Sequence, residues 1–482
     1  MSAPHVSGLV ERTSSVERVL TVVFIVGCFV LYASWAWVIP FNAVPDESMR
    51  YDLVRYISEH HSIPAGTDPA IRDPIWGTSY AFEPILAPLV AAFLRSVAGL
   101  FTADAGALLL AARFASVIFG TGTVAMCVLI SRRLFVGVWR WFFVVLIALL
   151  PQFAFLSSYL NSDSLGLFST ALIIYAWLRG LRDGWGTANA LLLGVGISVC
   201  LLSYFTAYGF VLLSVVVYVA DRIRGWRHTP VDERRRYRRE TLVQVATIGA
   251  VALSLAGWWF VRNAYLYDGD FLGLRTSTEQ GTLYALDFAK PGALSGVGRG
   301  WTLWHMLRKG WILGTAISSI GLFGYMNVPM PAPIYAVYAT IAVVGMLLAL
   351  VPAIASRLAR HRTNAGGSEV SDRVNVRLTL PGFTRWGRRL FETALLVAIP
   401  IPVALSMYHS YTQDYQPQGR YTLPMLLAVA YFVAMGFQRF LTRHGRCPKL
   451  RTTILIVFFA WSVFAMLLAL VGVIIPHYWP HR

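Results

Sequence analysis

The sequence predicts an all-α polytopic membrane protein with about eleven transmembrane helices. Of its 482 residues, 56% are hydrophobic and only 13% are charged. Apolar runs recur along the chain, each close to the length of about 20 residues that a helix needs to cross a hydrocarbon core. The 41 Lys and Arg residues outnumber the 24 Asp and Glu, and they cluster in short loops between these runs. This distribution follows the positive-inside rule, so the charge of +17 indicates membrane orientation and no nucleic-acid partner.

The first apolar run covers residues 19–40 and follows a polar segment at residues 1–18. It is too long for the core of a signal peptide, and it ends in tryptophans and a proline where a cleavage site would need small residues. We therefore interpret it as an uncleaved first span with a cytoplasmic N-terminal segment.

An amphipathic helix is predicted shortly after this span. Met49, Leu53, Tyr56 and Ile57 recur at the spacing of one helix face, while charged residues lie off that face. We expect this helix to lie along the outer membrane surface.

The next apolar stretch, at residues 83–101, presents a topology problem that charge can decide. If it crossed the membrane, the following span would deliver Arg132 and Arg133 to the outside, and the later basic loops would be inverted. We therefore interpret it as a juxtamembrane or re-entrant helix that does not cross.

With that choice, the later spans alternate and place the arginine-rich loops at residues 221–240 and 357–389 in the cytoplasm. The later spans are predicted at residues 107–130, 141–157, 164–177, 188–202, 206–220, 242–261, 334–354, 390–407, 421–437 and 452–475.

The predicted organisation has three parts. Residues 1–18 form the N-terminal segment, and residues 19–438 form a transmembrane core with outer loops at 41–106 and 262–333. Residues 439–482 form a basic cytoplasmic loop and a final helix whose C-terminus is outside the cytoplasm.

The apolar segments carry almost no ionisable residue near their centres, apart from Arg113 and Glu392. Ion-coupled transporters and proton pumps usually need such groups at the midplane. The ionisable residues collect on the outer side instead, which favours chemistry or binding at the outer membrane face.

Carboxylates at two places on that face are candidates for catalysis. Asp46 and Glu47, directly after the first span, could supply a general base for an acceptor hydroxyl. Equally, Asp46 could be the N-cap of the surface helix, with Glu47 in its first turn. Asp163 follows Asn161 and Ser162 between two spans, where it could be a second carboxylate of the same cavity or part of a turn and helix cap.

Basic residues on the outer side are candidates for binding phosphate. Arg262 follows a pair of tryptophans and could contact a phosphate or be a snorkelling anchor. Arg420 follows Gly419, which would allow close backbone approach, and could equally be an ordinary interfacial arginine. Lys309 is a weaker candidate.

A transferase with a lipid-phosphate donor needs a base for the acceptor hydroxyl and cations for the leaving phosphate. The sequence has no evident Gly-rich phosphate loop, nucleotide motif, H-E-x-x-H or nucleophile elbow. A soluble nucleotide-sugar donor is therefore disfavoured.

Several short motifs resemble those of a known class. The matching residues are Pro45-Asp46-Glu47, Glu83-Pro84, Arg113 with its neighbours 111–116, Arg132-Arg133, Asn161-Ser162-Asp163, Gly257-Trp258-Trp259, Arg262-Asn263, Phe323-Gly324-Tyr325 and Gln418-Gly419-Arg420-Tyr421. With these, the chain resembles the GT-C class of integral-membrane glycosyltransferases, which includes protein O-mannosyltransferases and the aminoarabinose transferases of lipid A. It is most similar to an uncharacterised bacterial multi-pass family related to that class. One departure is Glu83-Pro84-Ile85-Leu86, where that family usually has a double proline and an aromatic residue.

The resemblance implies a transferase that takes a sugar from a polyprenyl-phosphate donor. It also implies a bacterial inner membrane, with chemistry at the outer face among membrane lipids and a glycan, lipid or protein as acceptor. The class has no single cofactor requirement, so a divalent metal ion is left open. Two alternatives stay open as well: a flippase for a lipid-linked saccharide, and a non-catalytic component of an envelope-polymer assembly complex.

The resemblance also implies roles for the candidate residues. Asp46 would be the catalytic base, with Glu47 as its neighbour or substitute. Asp163 would position the acceptor or a divalent cation. Arg262 and Arg420 would hold the donor phosphate, with Lys309 as a further cation.

Overall fold

The computed structural model describes residues 15–363, 383–443 and 448–479, and in these ranges the chain is almost entirely helical. Nine helical stretches of the described residues are long and apolar enough to cross a membrane. The predicted fold class, an all-α polytopic membrane protein, is confirmed.

The helices of the first half are α1 (Ser15–Val38), α2 (Glu47–His60), α3 (Leu86–Gly99), α4 (Ala105–Leu134), α5 (Trp139–Ala148), α6 (Pro151–Leu156), α7 (Asp163–Asp183), α8 (Thr187–Leu201), α9 (Gly209–His228), α10 (Arg234–Ala252) and α11 (Trp258–Leu266). Those of the second half are α12 (Leu274–Tyr284), α13 (Leu303–Met306), α14 (Ile312–Gly321), α15 (Ala332–Thr363), α16 (Arg385–Ala398), α17 (Pro400–Thr412), α18 (Leu426–Arg443), α19 (Pro448–Leu467) and α20 (Ile475–Tyr478). A two-stranded antiparallel hairpin, β1 (Leu322–Phe323) and β2 (Val328–Pro329), lies between α14 and α15.

Two of the predicted spans differ from simple transmembrane helices. The segment predicted at 141–157 is divided into α5 and α6, because Pro151 cannot continue the hydrogen bonding of α5 and Leu150 before it is extended (φ −79°, ψ 121°). The segment predicted at 188–202 is α8, whose 15 residues reach about 22 Å, less than the hydrocarbon thickness of about 30 Å. These two segments account for the difference between about eleven predicted spans and nine candidate spans.

The predicted arginine-rich loop at 221–240 is largely helical. Helix α9 continues to His228 and α10 begins at Arg234, because arginine is a good helix former and Arg236 pairs with Glu240 one turn later. The second predicted basic loop is shortened in the same way by α15 and α16. Residues 364–382 of that loop, residues 444–447 and most of the predicted N-terminal segment lie outside the described residues.

The amphipathic helix predicted after the first span is α2, and its apolar face packs on protein. Leu53 and Ile57 are buried in a small core that also contains Ile85, Ala91 and Trp259. Helix α3 has 14 residues and packs between α2 and α4, and at about 21 Å it is short for a span. That it does not cross the membrane stays a prediction.

A buried ion pair fixes the position of α2. Arg113 of α4 donates from Nε to Glu47 Oε1 (2.7 Å) and from Nη2 to Glu47 Oε2 (2.6 Å), and it also donates to backbone carbonyls at the end of α1. Backbone N–H groups of Leu160 and Asn42 donate to the same two carboxylate oxygens. The pair therefore joins α1, α2, α4 and the turn before α7, and it fixes the place of the residue before Glu47.

Candidate active site

Asp46 precedes α2 in a conformation that turns its side chain away from the helix. Its φ of 65° and ψ of 7° are in the left-handed region, which is uncommon for a residue with a side chain, and the carboxylate makes no capping hydrogen bond. Instead, Oδ2 accepts a hydrogen bond from Nη2 of Arg420 at 2.7 Å, and the side chain keeps 28% of its surface exposed. Asp46 therefore occupies the N-cap position without acting as a cap.

Arg420 lies on a single helical turn, Gly419–Tyr421, that packs tightly against α14. A Cβ atom at Gly419 would lie 2.2 Å from the backbone nitrogen of Ser319, so only glycine fits there. Arg420 is 4% exposed, and its Nη2 also donates to the hydroxyl of Tyr421 (2.7 Å). Its Nε and Nη1 are buried and have no partner in the described part of the chain.

Arg50, which our sequence interpretation did not single out, contributes a second buried guanidinium. It is 3% exposed, donates from Nη1 to Ser162 Oγ (2.8 Å), and lies 3.9 Å from the centroid of the Tyr80 ring. Nε and Nη2, which form one edge of its guanidinium, have no partner among the described residues. The signal that could have identified it is its place one helical turn after Asp46.

Asp163 is the first residue of α7 and is 5% exposed. The turn before this helix is stabilised by Asn161, whose Oδ1 accepts from the N–H of Ser164 (2.9 Å), so that interaction does not use Asp163. Neither carboxylate oxygen of Asp163 has a hydrogen-bond partner in the described ranges. The side chain lies in the electrostatic fields of Arg420 and Arg50.

Glu83 supplies a third carboxylate at the N-terminal end of α3. It follows a single helical turn, Tyr80–Phe82, and its Oε2 is buried without a partner among the residues described. Burial raises the pKa of Glu83 to about 7, although the charge of Arg50 opposes this shift. Burial alone would also raise the pKa of Asp46, but the charges of Arg420 and Arg50 outweigh it and the net shift of that pKa is downward.

A narrow cavity adjoins these groups. Its lining includes Pro45, Tyr159 and Arg420, together with Gly324 and Met326 of the β1–β2 turn. The cavity volume is about 10 Å³, close to the space for one water molecule. The β1–β2 hairpin and the turn that carries Arg420 therefore both contribute to the walls of this cavity.

The architecture is similar to that of an oligosaccharyltransferase from Archaeoglobus fulgidus, solved in complex with Zn and sulfate. The TM-score is 0.51 at 16% sequence identity, over 92% of this chain and 52% of that one. The chain has the GT-C fold. The apo form of the same enzyme aligns with a TM-score of 0.48 at 13% identity, over 95% of this chain and 56% of that one. ArnT from Cupriavidus metallidurans in the apo state aligns with a TM-score of 0.38 at 15% identity, over 88% and 76%.

This chain thus spans about half the length of the archaeal oligosaccharyltransferase, and the likeness concerns the fold alone. No protein-family model and no curated protein sequence matches it.

Two of the residues predicted to bind phosphate, Arg262 and Lys309, make other contacts than those of the cluster around Asp46 and Arg420. Nη2 of Arg262 donates to the carbonyls of Ile63 (3.2 Å) and Pro64 (2.8 Å), and its guanidinium lies 5.1 Å from the Trp259 ring centroid. Arg262 therefore holds the loop at Ile63 and Pro64 against α11. Lys309 is exposed in the turn between α13 and α14. Phosphate binding by these two residues stays a prediction.

Glu47 is close to the cluster in sequence but is not accessible from it. Its side chain is 0% exposed, and both oxygens accept hydrogen bonds from Arg113. Its role as a substitute base stays a prediction that these contacts do not favour.

The donor set does not fit a divalent cation. Within the described ranges, no group of three or more His, Cys, Asp or Glu is placed to hold a metal ion. The carboxylate of Asp46 is already paired with Arg420, and a second guanidinium, that of Arg50, lies in the same cluster. Fixed cations thus occupy the surroundings that a metal site would need.

Proposed function

We propose that this protein is a glycosyltransferase that moves a sugar from a polyprenyl-phosphate donor to a glycan, lipid or protein acceptor at the outer face of a bacterial inner membrane. One observation carries the proposal. Asp46 and Arg420, 374 residues apart in the chain, meet in a buried cluster that also holds Asp163 and leaves several charged atoms without partners. The GT-C fold and the sequence resemblance to that class support it.

The free guanidinium atoms support binding of the donor phosphate. Buried polar atoms are nearly always hydrogen-bonded, and a buried charge without a partner is costly. Arg50 presents two neighbouring N–H donors on one edge, which suits two oxygens of a phosphate. Arg420 has two further donor atoms without partners, Nε and Nη1. These cations would stabilise the negative charge that develops on the phosphate as it leaves.

Asp46 is the proposed general base. Its lowered pKa keeps it ionised, and its exposed fraction of 28% leaves it accessible to an acceptor. The acceptor hydroxyl oxygen attacks the anomeric carbon, and the bond from that carbon to the phosphate oxygen breaks with its electron pair on the phosphate. The hydroxyl proton goes to the carboxylate of Asp46.

Asp163 is proposed to position a hydroxyl of the sugar or the acceptor. Both of its oxygens are available as acceptors, and Arg50 and Arg420 lie near it. A donor with a phosphate for the arginines and hydroxyl groups for the aspartate would satisfy both kinds of unpartnered atom at once.

The ionisable residues inside the spans favour this function over a flippase. Arg113 is neutralised by Glu47, and Glu392 accepts hydrogen bonds from Arg388 (3.0 Å) and Arg439 (3.3 Å). Paired groups of this kind do not offer a polar path through the bilayer. A scaffold, in turn, has no need for charged atoms kept buried without partners.

The test is transfer of radiolabelled sugar from a panel of polyprenyl-phosphate sugars by the purified protein in lipid. We expect transfer or donor hydrolysis by the native chain, and a loss of about 10²–10⁴-fold in Asp46→Asn. Asp52→Asn is the matched control, since Asp52 is on the helix that follows Asp46 and has 47% of its side chain exposed. Full activity of Asp46→Asn would show that Asp46 is not the general base. The absence of both transfer and hydrolysis with every donor would contradict the proposed function.

A further inference from the structure

Glu83 is a carboxylate of this cluster for which the proposed mechanism so far has no use. Its backbone N–H donates to the carbonyl of Tyr80 (3.1 Å), and the Tyr80 ring lies 3.9 Å from the guanidinium carbon of Arg50. The short turn that holds Tyr80 against Arg50 therefore also holds Glu83 at the cluster. Its Oε2 is buried and has no hydrogen-bond partner among the described residues.

The charges of the cluster do not balance when a donor is added. The cluster contains the carboxylates of Asp46, Glu83 and Asp163 and the guanidinium groups of Arg50 and Arg420. With all five ionised, three negative charges face two positive ones, and a phosphodiester donor would bring a further negative charge into the same buried place. Such an excess is costly in a low-dielectric site, and a carboxylate there takes up a proton instead. Protonation of one carboxylate offsets the negative charge that the donor adds.

Glu83 is better placed to take that proton than the other two carboxylates. Asp46 is ion-paired with Arg420, and Asp163 lies in the fields of both guanidinium groups. Arg50 is the cation that opposes protonation of Glu83, whereas burial and two neighbouring carboxylates favour it. The groups that face Glu83 are Arg50 from α2, Asp46 from the first outer loop, Asp163 from α7, and Tyr204 and Tyr208 from the turn between α8 and α9.

We propose that Glu83 binds the donor as a neutral carboxylic acid, so that donor binding takes up one proton from solvent. This inference rests on the proposed function. The protonated carboxyl donates a hydrogen bond to a phosphate oxygen or sugar hydroxyl of the donor, which the ionised carboxylate cannot do. Glu83 is thus a substrate-binding residue that links donor affinity to pH.

The pH dependence of donor affinity follows from the pKa of Glu83 before and after the donor binds. Before binding, Glu83 has a pKa of about 7, and the bound donor raises that pKa further. Below about pH 7 the acid is already protonated, so affinity does not depend on pH. Above that point, the donor dissociation constant rises about tenfold per pH unit until the pKa of the complex is reached.

Calorimetric titration of the full-length protein in lipid nanodiscs measures the proton directly. The probe is a polyprenyl phosphodiester, which keeps a single negative charge across the pH range used. Titrations at about pH 8 in buffers of different ionisation enthalpy count the protons exchanged on binding. We expect the native protein to take up close to one proton.

Variants assign the proton to Glu83. Glu83→Gln keeps a hydrogen-bond donor without the charge, so it should bind with proton uptake close to zero and with an affinity independent of pH. Glu83→Ala lacks the donor and should bind more weakly than Glu83→Gln. Glu279→Gln is the control, because Glu279 has 60% of its side chain exposed on α12, and it should retain native proton uptake.

Two results would overturn the inference while leaving the proposed function intact: binding by the native protein without proton uptake, and undiminished uptake in Glu83→Gln. A native protein that does not bind the phosphodiester at all would contradict both this inference and the proposed donor class.

Discussion

Glu47→Gln should strongly destabilise the protein, although Glu47 is adjacent to the proposed base. The carboxylate is 0% exposed and accepts two short hydrogen bonds from Arg113, which is itself 3% exposed. The amide of Gln would place an N–H group against donors and leave the guanidinium buried without a counter-charge. Removing one partner of a buried ion pair typically costs about 3–5 kcal/mol. We therefore expect the free energy of unfolding, measured by denaturant titration in mixed micelles, to fall by about that amount.

A double-mutant cycle with Arg113→Met separates the ion pair from other effects. Removing both charges should cost less than the sum of the two single changes, by about 0.5–3 kcal/mol. Glu279→Gln, at an exposed site, should change the free energy of unfolding by less than about 0.5 kcal/mol. A change of that small size in Glu47→Gln, or strictly additive single changes, would refute the interpretation that this pair holds α2 in place.

Three further predictions concern the cluster itself. Gly419→Ala should reduce donor affinity at least tenfold in a binding titration, because the new Cβ would displace the turn that carries Arg420. Gly249→Ala is the control, since nothing lies within 4 Å of a Cβ there, and it should leave donor affinity unchanged. Equal affinities of the two variants would contradict the packing argument. At saturating donor, the transfer rate should be constant at neutral pH and fall only in the acid range, because the charges of Arg420 and Arg50 lower the pKa of Asp46 and it stays ionised until the pH drops through that lowered pKa. In Arg420→Gln the loss of the neighbouring charge should move that acid limb to higher pH, and an unmoved limb would show that another group controls it. Arg50→Lys should weaken donor binding in the same titration, because an ammonium cannot reproduce two donors on one planar edge. Native donor affinity in this variant would show that Arg50 does not bind the phosphate.

The fold could be predicted from the sequence because it follows from local properties. Apolar runs of spanning length, basic residues between them and the periodicity of Met49, Leu53 and Ile57 each report on a single segment. The division at Pro151 could also have been found locally, since proline ends helices. It was missed because the apolar run continues through it.

The site was only partly predictable because its members come from distant segments. The place of Asp46 after the first span made it a candidate, and the close approach at Gly419 was expected from the residue type. Arg50 was missed because it lies off the apolar face of α2, where a solvent-exposed charge is the usual interpretation. In the structure this side of α2 faces Tyr80 and Ser162, and no local pattern reports such tertiary contacts.

Arg262 shows how a residue that suits a ligand can also have a structural role. An arginine on the outer side beside paired tryptophans suits a phosphate, yet its guanidinium is occupied by backbone carbonyls of Ile63 and Pro64, about 200 residues earlier in the chain. Sequence alone does not distinguish an arginine that binds a ligand from one that holds a loop.

The most direct test of the central claim is a single-turnover measurement that separates donor binding from the chemical step. With a donor from the panel, we would compare the dissociation constant and the transfer rate of the native protein and Asp46→Asn. If Asp46 is the base and the arginines hold the phosphate, Asp46→Asn binds the donor about as tightly as the native protein and transfers the sugar about 10²–10⁴-fold more slowly. A variant that transfers sugar at the native rate would contradict the assignment of Asp46 as the base, which is the central claim about this cluster.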